Sequence, residues 1–127
     1  MYINTHISHH IFKTKLLKTP REIEQGMMGK QFTGLFDALL FVMDNMDNIK
    51  ESSFWMKNCI VPLDIIFIDD RKITKIYHDC KPCVTDECKH YPGKGNLVIE
   101  LPGGTCKQLN IKKGQIVEFS NCKSPRL

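Results

Sequence analysis

Two groups of residues in this chain have the types and spacing that chemistry needs. The first is Trp55, Lys57, Asn58 and Asp64, with Glu100 further along. On an extended segment Trp55 and Lys57 point to one side and Met56 and Asn58 to the other, and Asp64 stands at the mouth of the next apolar run. An ammonium, an amide and a carboxylate beside an indole suit a cleft for a small polar ligand, because such clefts place a few polar groups on an apolar wall. The same residues also suit a structural role, in which Asp64 pairs with Lys57 or caps the turn over 58–62. The second group is Cys80, Cys83 and Cys88 with His90. Cys80-Lys81-Pro82-Cys83 has the opening spacing of a four-coordinate zinc site, whereas Cys88-Lys89-His90 crowds its two donors and strains simultaneous ligation. Zinc, a disulfide, a reversible redox pair and free thiols all remain open for these cysteines, with His78 a substitute ligand.

Catalysis asks for more than either group supplies. There is no Gly-x-Ser-x-Gly elbow, no phosphate-cradling glycine loop and no His-Glu-x-x-His helix. A hydrolase built on Lys57 and Asp64 would need a desolvated lysine. The reading preferred is therefore a non-catalytic binding or accessory domain whose cleft is lined by Trp55, Lys57, Asn58, Asp64 and Glu100. The alternative is a thiol- or zinc-dependent site or enzyme centred on Cys80, Cys83 and Cys88. Cys59, Cys106 and Cys122 read as buried or incidental, Met27, Met28 and Met43 as core filler, and His6, His9 and His10 as a solvated terminal cluster.

The elements that must position these residues are short. Residues 11–17 mix apolar and polar positions near period two, as a half-buried strand does. Thr19-Pro20-Arg21-Glu22 is a capping box with proline at the first helical position, predicting a helix over 20–28 that Gly29 stops. Gly26 inside it costs about 1 kcal/mol relative to alanine, so close packing against a neighbour is its reason. Residues 38–43 read as a buried strand, 44–53 as a polar loop, and 54–57 and 63–68 as two strands. Asp69-Asp70-Arg71 turns into a partner strand over 72–77. A cysteine-bearing loop spans 78–95, strands follow at 96–101 and 115–119, and a single helical turn fits 105–109. Many short strands and one good helix predict an α+β domain: a mainly antiparallel curled sheet or small β-barrel with the helix packed on it.

At 127 residues, with 42% hydrophobic and 25% charged residues, the chain is long enough for one core and one modest cleft. The expected division is an N-terminal segment at 1–14, one domain at 15–120 and a tail at 121–127. Eighteen basic against fourteen acidic side chains leave a net charge of +4, too little for a dedicated nucleic-acid binder even with Lys13, Lys15 and Lys18 along one edge. No run approaches the ~18 apolar residues of a membrane span and no signal peptide is read at the N-terminus. A monomer in the reducing cytosol, bound to a small polar ligand, is the expectation.

Several blocks also resemble a known family. Gly26-Met27-Met28-Gly29-Lys30, Leu40-Phe41-Val42, the run from Phe54-Trp55-Met56-Lys57-Asn58-Cys59 through Pro62-Leu63-Asp64 to Ile68, Pro82-Cys83 with Cys88 and Tyr91, and Val98-Ile99-Glu100-Leu101 with Gly104 resemble domain-of-unknown-function family 192, also called uncharacterised protein family 0127. The likeness covers about 15–119. Its pattern departs where the family has Gly-Leu-Met before an arginine, and where a threonine stands in place of Cys59. No activity is settled for the family, so the resemblance implies a fold more than a function. It also implies a Cys83–Cys88 disulfide, a feature of exported relatives.

Overall fold

The computed structural model describes residues 1–43 and 51–122. Nine strands and two short helices follow in the order β1 (Tyr2–Ile7), β2 (His10–Leu17), α1 (Pro20–Gln25), β3 (Ala38–Val42), β4 (Glu51–Trp55), β5 (Leu63–Asp69), β6 (Lys72–Cys80), β7 (His90–Lys94), β8 (Leu97–Pro102), α2 (Thr105–Leu109) and β9 (Val117–Asn121). Seven of the strands form one sheet in the order β6-β5-β8-β3-β2-β1-β9, and β4 pairs with β7 in a separate two-stranded sheet. Among these nine strands the β2–β3 pairing is parallel and the other pairings are antiparallel. The large sheet curls until its two edges meet: the Val117 N–H donates to the Arg71 carbonyl at 2.8 Å, and Ile116 bridges to Lys72. This is the curled, mainly antiparallel α+β architecture expected from the sequence.

Strand alternation divides the core into two layers. Leu39 and Phe41 of β3, Leu63, Ile65 and Phe67 of β5 and Val98 of β8 pack on one face with Met27, Met56 and Tyr91. Ala38 and Leu40, Ile66 and Ile68, Ile99 and Leu101 pack on the other with Cys106, Ile111 and Val117. The first face is covered by α1 and the β4–β7 ribbon, the second by α2 and the curled-over edge strands. Strands β3, β5 and β8 are apolar without alternation because both of their faces are buried.

Several elements differ from the expectations drawn from sequence. Helix α1 stops at Gln25, not Met28, because Gly26 already turns the chain with φ of 42° and its N–H donates to the Glu22 carbonyl. The capping box at Thr19 and Glu22 is formed on both sides. The segment set apart at 1–14 supplies β1 and the first part of β2; Thr5 and Thr14 share a buried hydroxyl–hydroxyl bond of 2.6 Å between them. Strand β7 lies inside the expected cysteine loop, where Pro92 and Gly93 speak against a strand. It forms because Tyr77 Oη donates to the Pro92 carbonyl at 2.6 Å and Gly93 leaves room for the Phe67 ring. The hairpin turn after β5 has positive φ at Asp70 and Arg71, as a type I′ turn requires. Of the polar loop expected at 44–53, residues 44–50 lie outside the described residues and the remaining three open β4; residues 123–127 of the expected tail also lie outside.

Gly26 packs against Phe41 as anticipated, since a Cβ there would sit 3.1 Å from the ring edge. Gly26→Ala combines that contact with an unfavourable backbone conformation, and a stability loss of about 1–3 kcal/mol is expected by urea denaturation.

Candidate functional site

The pleat of the central strands separates the two acids that the sequence placed in one cleft. Register pairs Asp64 with Leu101 and Ile65 with Glu100, and residues directly opposite each other on antiparallel strands point to the same face. Asp64 therefore shares the face of Ile66, Leu101 and α2, whereas Glu100 shares the face of Ile65, Leu39 and the β4–β7 cover.

Asp64 is fully buried and saturated by backbone donors. Its Oδ1 accepts from the N–H groups of Asp79 at 2.7 Å and Gly104 at 3.0 Å, and its Oδ2 accepts from Cys106 N–H at 2.7 Å. One carboxylate thus ties the end of β6 to the start of α2 and compensates its own burial with charge-assisted bonds. It neither pairs with Lys57 nor lines the cleft beside Trp55.

Glu100 is the opposite case. It is 3% exposed, and its Oε1 has no hydrogen-bond partner among the described residues. Burial alone pushes its carboxyl up from an ordinary value of 4.5 to about 8, so it is mostly protonated at neutral pH. The carboxyl borders a cavity of about 300 Å³, at the lower end of the roughly 300–1,000 Å³ typical of small-molecule sites. Met27, Phe41, Met43 and Phe54 form apolar walls. Ser52 adds a second buried unpartnered oxygen, its Oγ, on the same cavity. Phe54 stands edge-on to both Phe41 and Phe67, with ring centres 5.0 and 5.8 Å away, which fixes that wall.

Of the residues anticipated for the cleft, Trp55 and Glu100 line this cavity, while Lys57, Asn58 and Asp64 do not. Trp55 is 39% exposed at the rim, stacked on His90 and covered by the Lys57 ammonium 5.2 Å from the ring centre. Lys57 and Trp55 thus meet as the strand spacing implied. Asn58 serves the backbone: it adopts φ of 61°, its N–H donates to the Cys83 carbonyl, and its carbonyl accepts from Gly29 N–H. Asparagine tolerates that left-handed conformation better than most residues. Met27, Met28, Met43 and Cys59, read from sequence as filler or incidental, contribute to the cavity lining. The available signal was the lone carboxylate in the apolar run 97–101.

The cysteines separate in the same way. Cys83 and Cys88 form a disulfide, the pairing that the family resemblance implied. Cys80 is buried and held by Tyr91, and burial raises its thiol to about 11. His90 lies against Trp55 with Nδ1 3.4 Å from Ser53 Oγ. The four residues Cys80, Cys83, Cys88 and His90 do not converge, and among the described residues no group of three or more His, Cys, Asp or Glu could hold a metal ion.

Two measurements check these assignments. Asp64→Ala strands three backbone N–H groups at the end of β6 and start of α2, and a loss of about 3 kcal/mol or more in urea denaturation is expected. For Glu100 the folded carboxyl titrates near 8 and the unfolded one near 4.5. Between those values the folded state holds a proton that the unfolded state has released, so this group lowers stability as pH rises from about 4.5 to 8 and adds no further slope above. The slope approaches 1.4 kcal/mol per pH unit at its steepest. Glu100→Gln should remove it, as read from denaturation midpoints across that range.

The molecule can be placed among known proteins. It is similar to a protein of unknown function from Novosphingobium aromaticivorans DSM 12444, with TM-score 0.77 and 29% identity over 93% of this chain and 84% of that one. It is also similar to a protein from Sinorhizobium meliloti 1021 described as a "putative transcription regulator", with TM-score 0.74 and 26% identity over 93% and 92% of the two chains. No curated protein matches it. The family model DUF192, Uncharacterized ACR, matches residues 2–119, and the chain belongs to that family.

Proposed function

We propose that this domain binds a small molecule in the Glu100 cavity and does not transform it chemically. The observation that carries this reading is the pair of buried, unpartnered oxygens on one cavity, Glu100 Oε1 and Ser52 Oγ. An unsatisfied buried polar group costs about 1–3 kcal/mol, a cost that a ligand hydrogen-bonding to it removes. Trp55 at the rim supplies a flat apolar edge. Among the described residues lining the cavity, the one thiol, Cys59, is pushed up by burial to about 12 and is no activated nucleophile.

The thiol or zinc alternative finds less support, because Cys83 and Cys88 bond to each other and Cys80 is inert. The disulfide favours an oxidising compartment over the cytosol expected from sequence. Among the described residues no helix is long and apolar enough to cross a membrane. The description given to the Sinorhizobium meliloti neighbour suggests nucleic acid, which a net charge of +4 on this chain does little to favour.

Ser52→Leu tests the binding reading, because it fills the cavity and removes one unpartnered hydroxyl. The free protein should gain about 1 kcal/mol. Metabolites that raise the melting temperature and shift the emission of Trp55, the single tryptophan, should bind the variant at least tenfold more weakly. A screen that finds no such compound, or hits indifferent to Ser52→Leu, would overturn the proposal.

A further inference from the structure

The lining of the cavity shares none of the basic side chains that give the chain its net charge. The chain carries +4, yet the described residues lining the cavity include two carboxyls, Glu24 and Glu100, and no lysine, arginine or histidine. Glu24 is exposed on α1 and Glu100 is buried. Three rings, Phe41, Phe54 and Trp55, also line it, and aromatic faces attract cations within about 6 Å. The Trp55 ring already holds one ammonium, that of Lys57, at 5.2 Å. Resting on the binding reading above, we propose that the ligand is a small organic cation, a protonated amine on a compact apolar body, with the Glu100 carboxylate as its counter-ion and the rings as its walls.

The alternatives fit less well. An anion would lie against the electron-rich faces of the rings with no lysine, arginine or histidine on the lining to pair with it. A neutral apolar molecule would fill the walls and leave Glu100 Oε1 without a partner, the most costly feature of the empty cavity. An ammonium group satisfies that oxygen and allows the carboxyl to ionise, because a buried charge becomes tolerable once it is paired and hydrogen-bonded.

Binding then releases a proton. The empty site holds Glu100 protonated at neutral pH, the bound site holds it as carboxylate, and the proton leaves to solvent. An alkylammonium of the lysine type titrates near 10.4 and stays charged from pH 6 to 8, so affinity should rise about tenfold per pH unit across most of that range and flatten above it. The other groups near Glu100 are the thiols of Cys59 and Cys80, raised to about 12 and about 11, and beyond Cys80 the Tyr91 hydroxyl that bonds to it, also raised by burial. Its pairing neighbours on β3 and β5, Leu39 and Ile65, carry no charge. Glu24 lies on the lining, and Lys57 and His90 lie on Trp55.

The experiment titrates the full chain with 2-phenylethylamine, 2-phenylethanol and phenylacetate at pH 6, 7 and 8, reading Trp55 emission and heat of binding. At pH 8 the amine should bind at least tenfold tighter than the alcohol, and its affinity should climb with pH. In Glu100→Gln the preference for the amine and the climb with pH should both vanish. If that variant does not fold, the wild-type pH series decides alone. Equal binding of amine and alcohol, tighter phenylacetate, or a flat pH series would overturn the cation and leave the cavity as a binding site. A climb that survives in Glu100→Gln would assign it to a group other than Glu100 and equally overturn the proposal. Silence from all three probes would sink both readings.

Discussion

Strands β3, β5 and β8 are apolar on both sides, and a sheet whose two faces are hydrophobic has to be covered twice. That constraint governs the molecule. One face is closed by curling the sheet on itself until β9 meets the turn before β6, with α2 plugging the space between. The other is closed by the β4–β7 ribbon and α1. The two closures differ in quality. Asp64 fastens the first with three backbone hydrogen bonds. The second depends on packing of rings and methionines, and there a cavity of about 300 Å³ survives.

The two buried acids show how far position outweighs residue type. Asp64 and Glu100 stand on adjacent strands, one register step apart, at 0% and 3% exposure. Asp64 meets three N–H donors and becomes a structural clamp. Glu100 meets hydrocarbon and a void, so its burial is paid for only by holding its proton. Natural domains seldom leave such an atom unpartnered, and that oxygen on a cavity with aromatic walls is what supports the proposed binding role.

The supports around the site are equally specific. The Cys83–Cys88 disulfide closes the loop whose Cys83 carbonyl accepts from Asn58 N–H, and the Asn58 carbonyl in turn holds Gly29 after α1. The chain therefore links the loop, the turn and the helix that frame one side of the cavity. Asn58 and the two cysteines thus hold the frame of the cavity without lining it.

Local signals in the sequence determined much of this protein. The capping box at Thr19 and Glu22, the Asp70-Arg71 turn, the apolar runs of β3, β5 and β8 and the close packing required at Gly26 all follow from backbone preferences and periodicity acting over a few residues. The meeting of Lys57 with Trp55 was legible because both lie two positions apart at one strand end. Register between distant strands was not legible. Period two says that Glu100 alternates with Ile99 and Leu101, but only the pairing of β8 with β5 and β3 decides which cover it faces, and a one-residue slip would reverse it. The same dependence hid β1 and β7, whose polar or proline-bearing sequences become strands because partners were available. It also split Asp64 from the cleft: its N–H donors come from residues 15, 40 and 42 positions away, and contacts across such distances exist only once the sheet has curled.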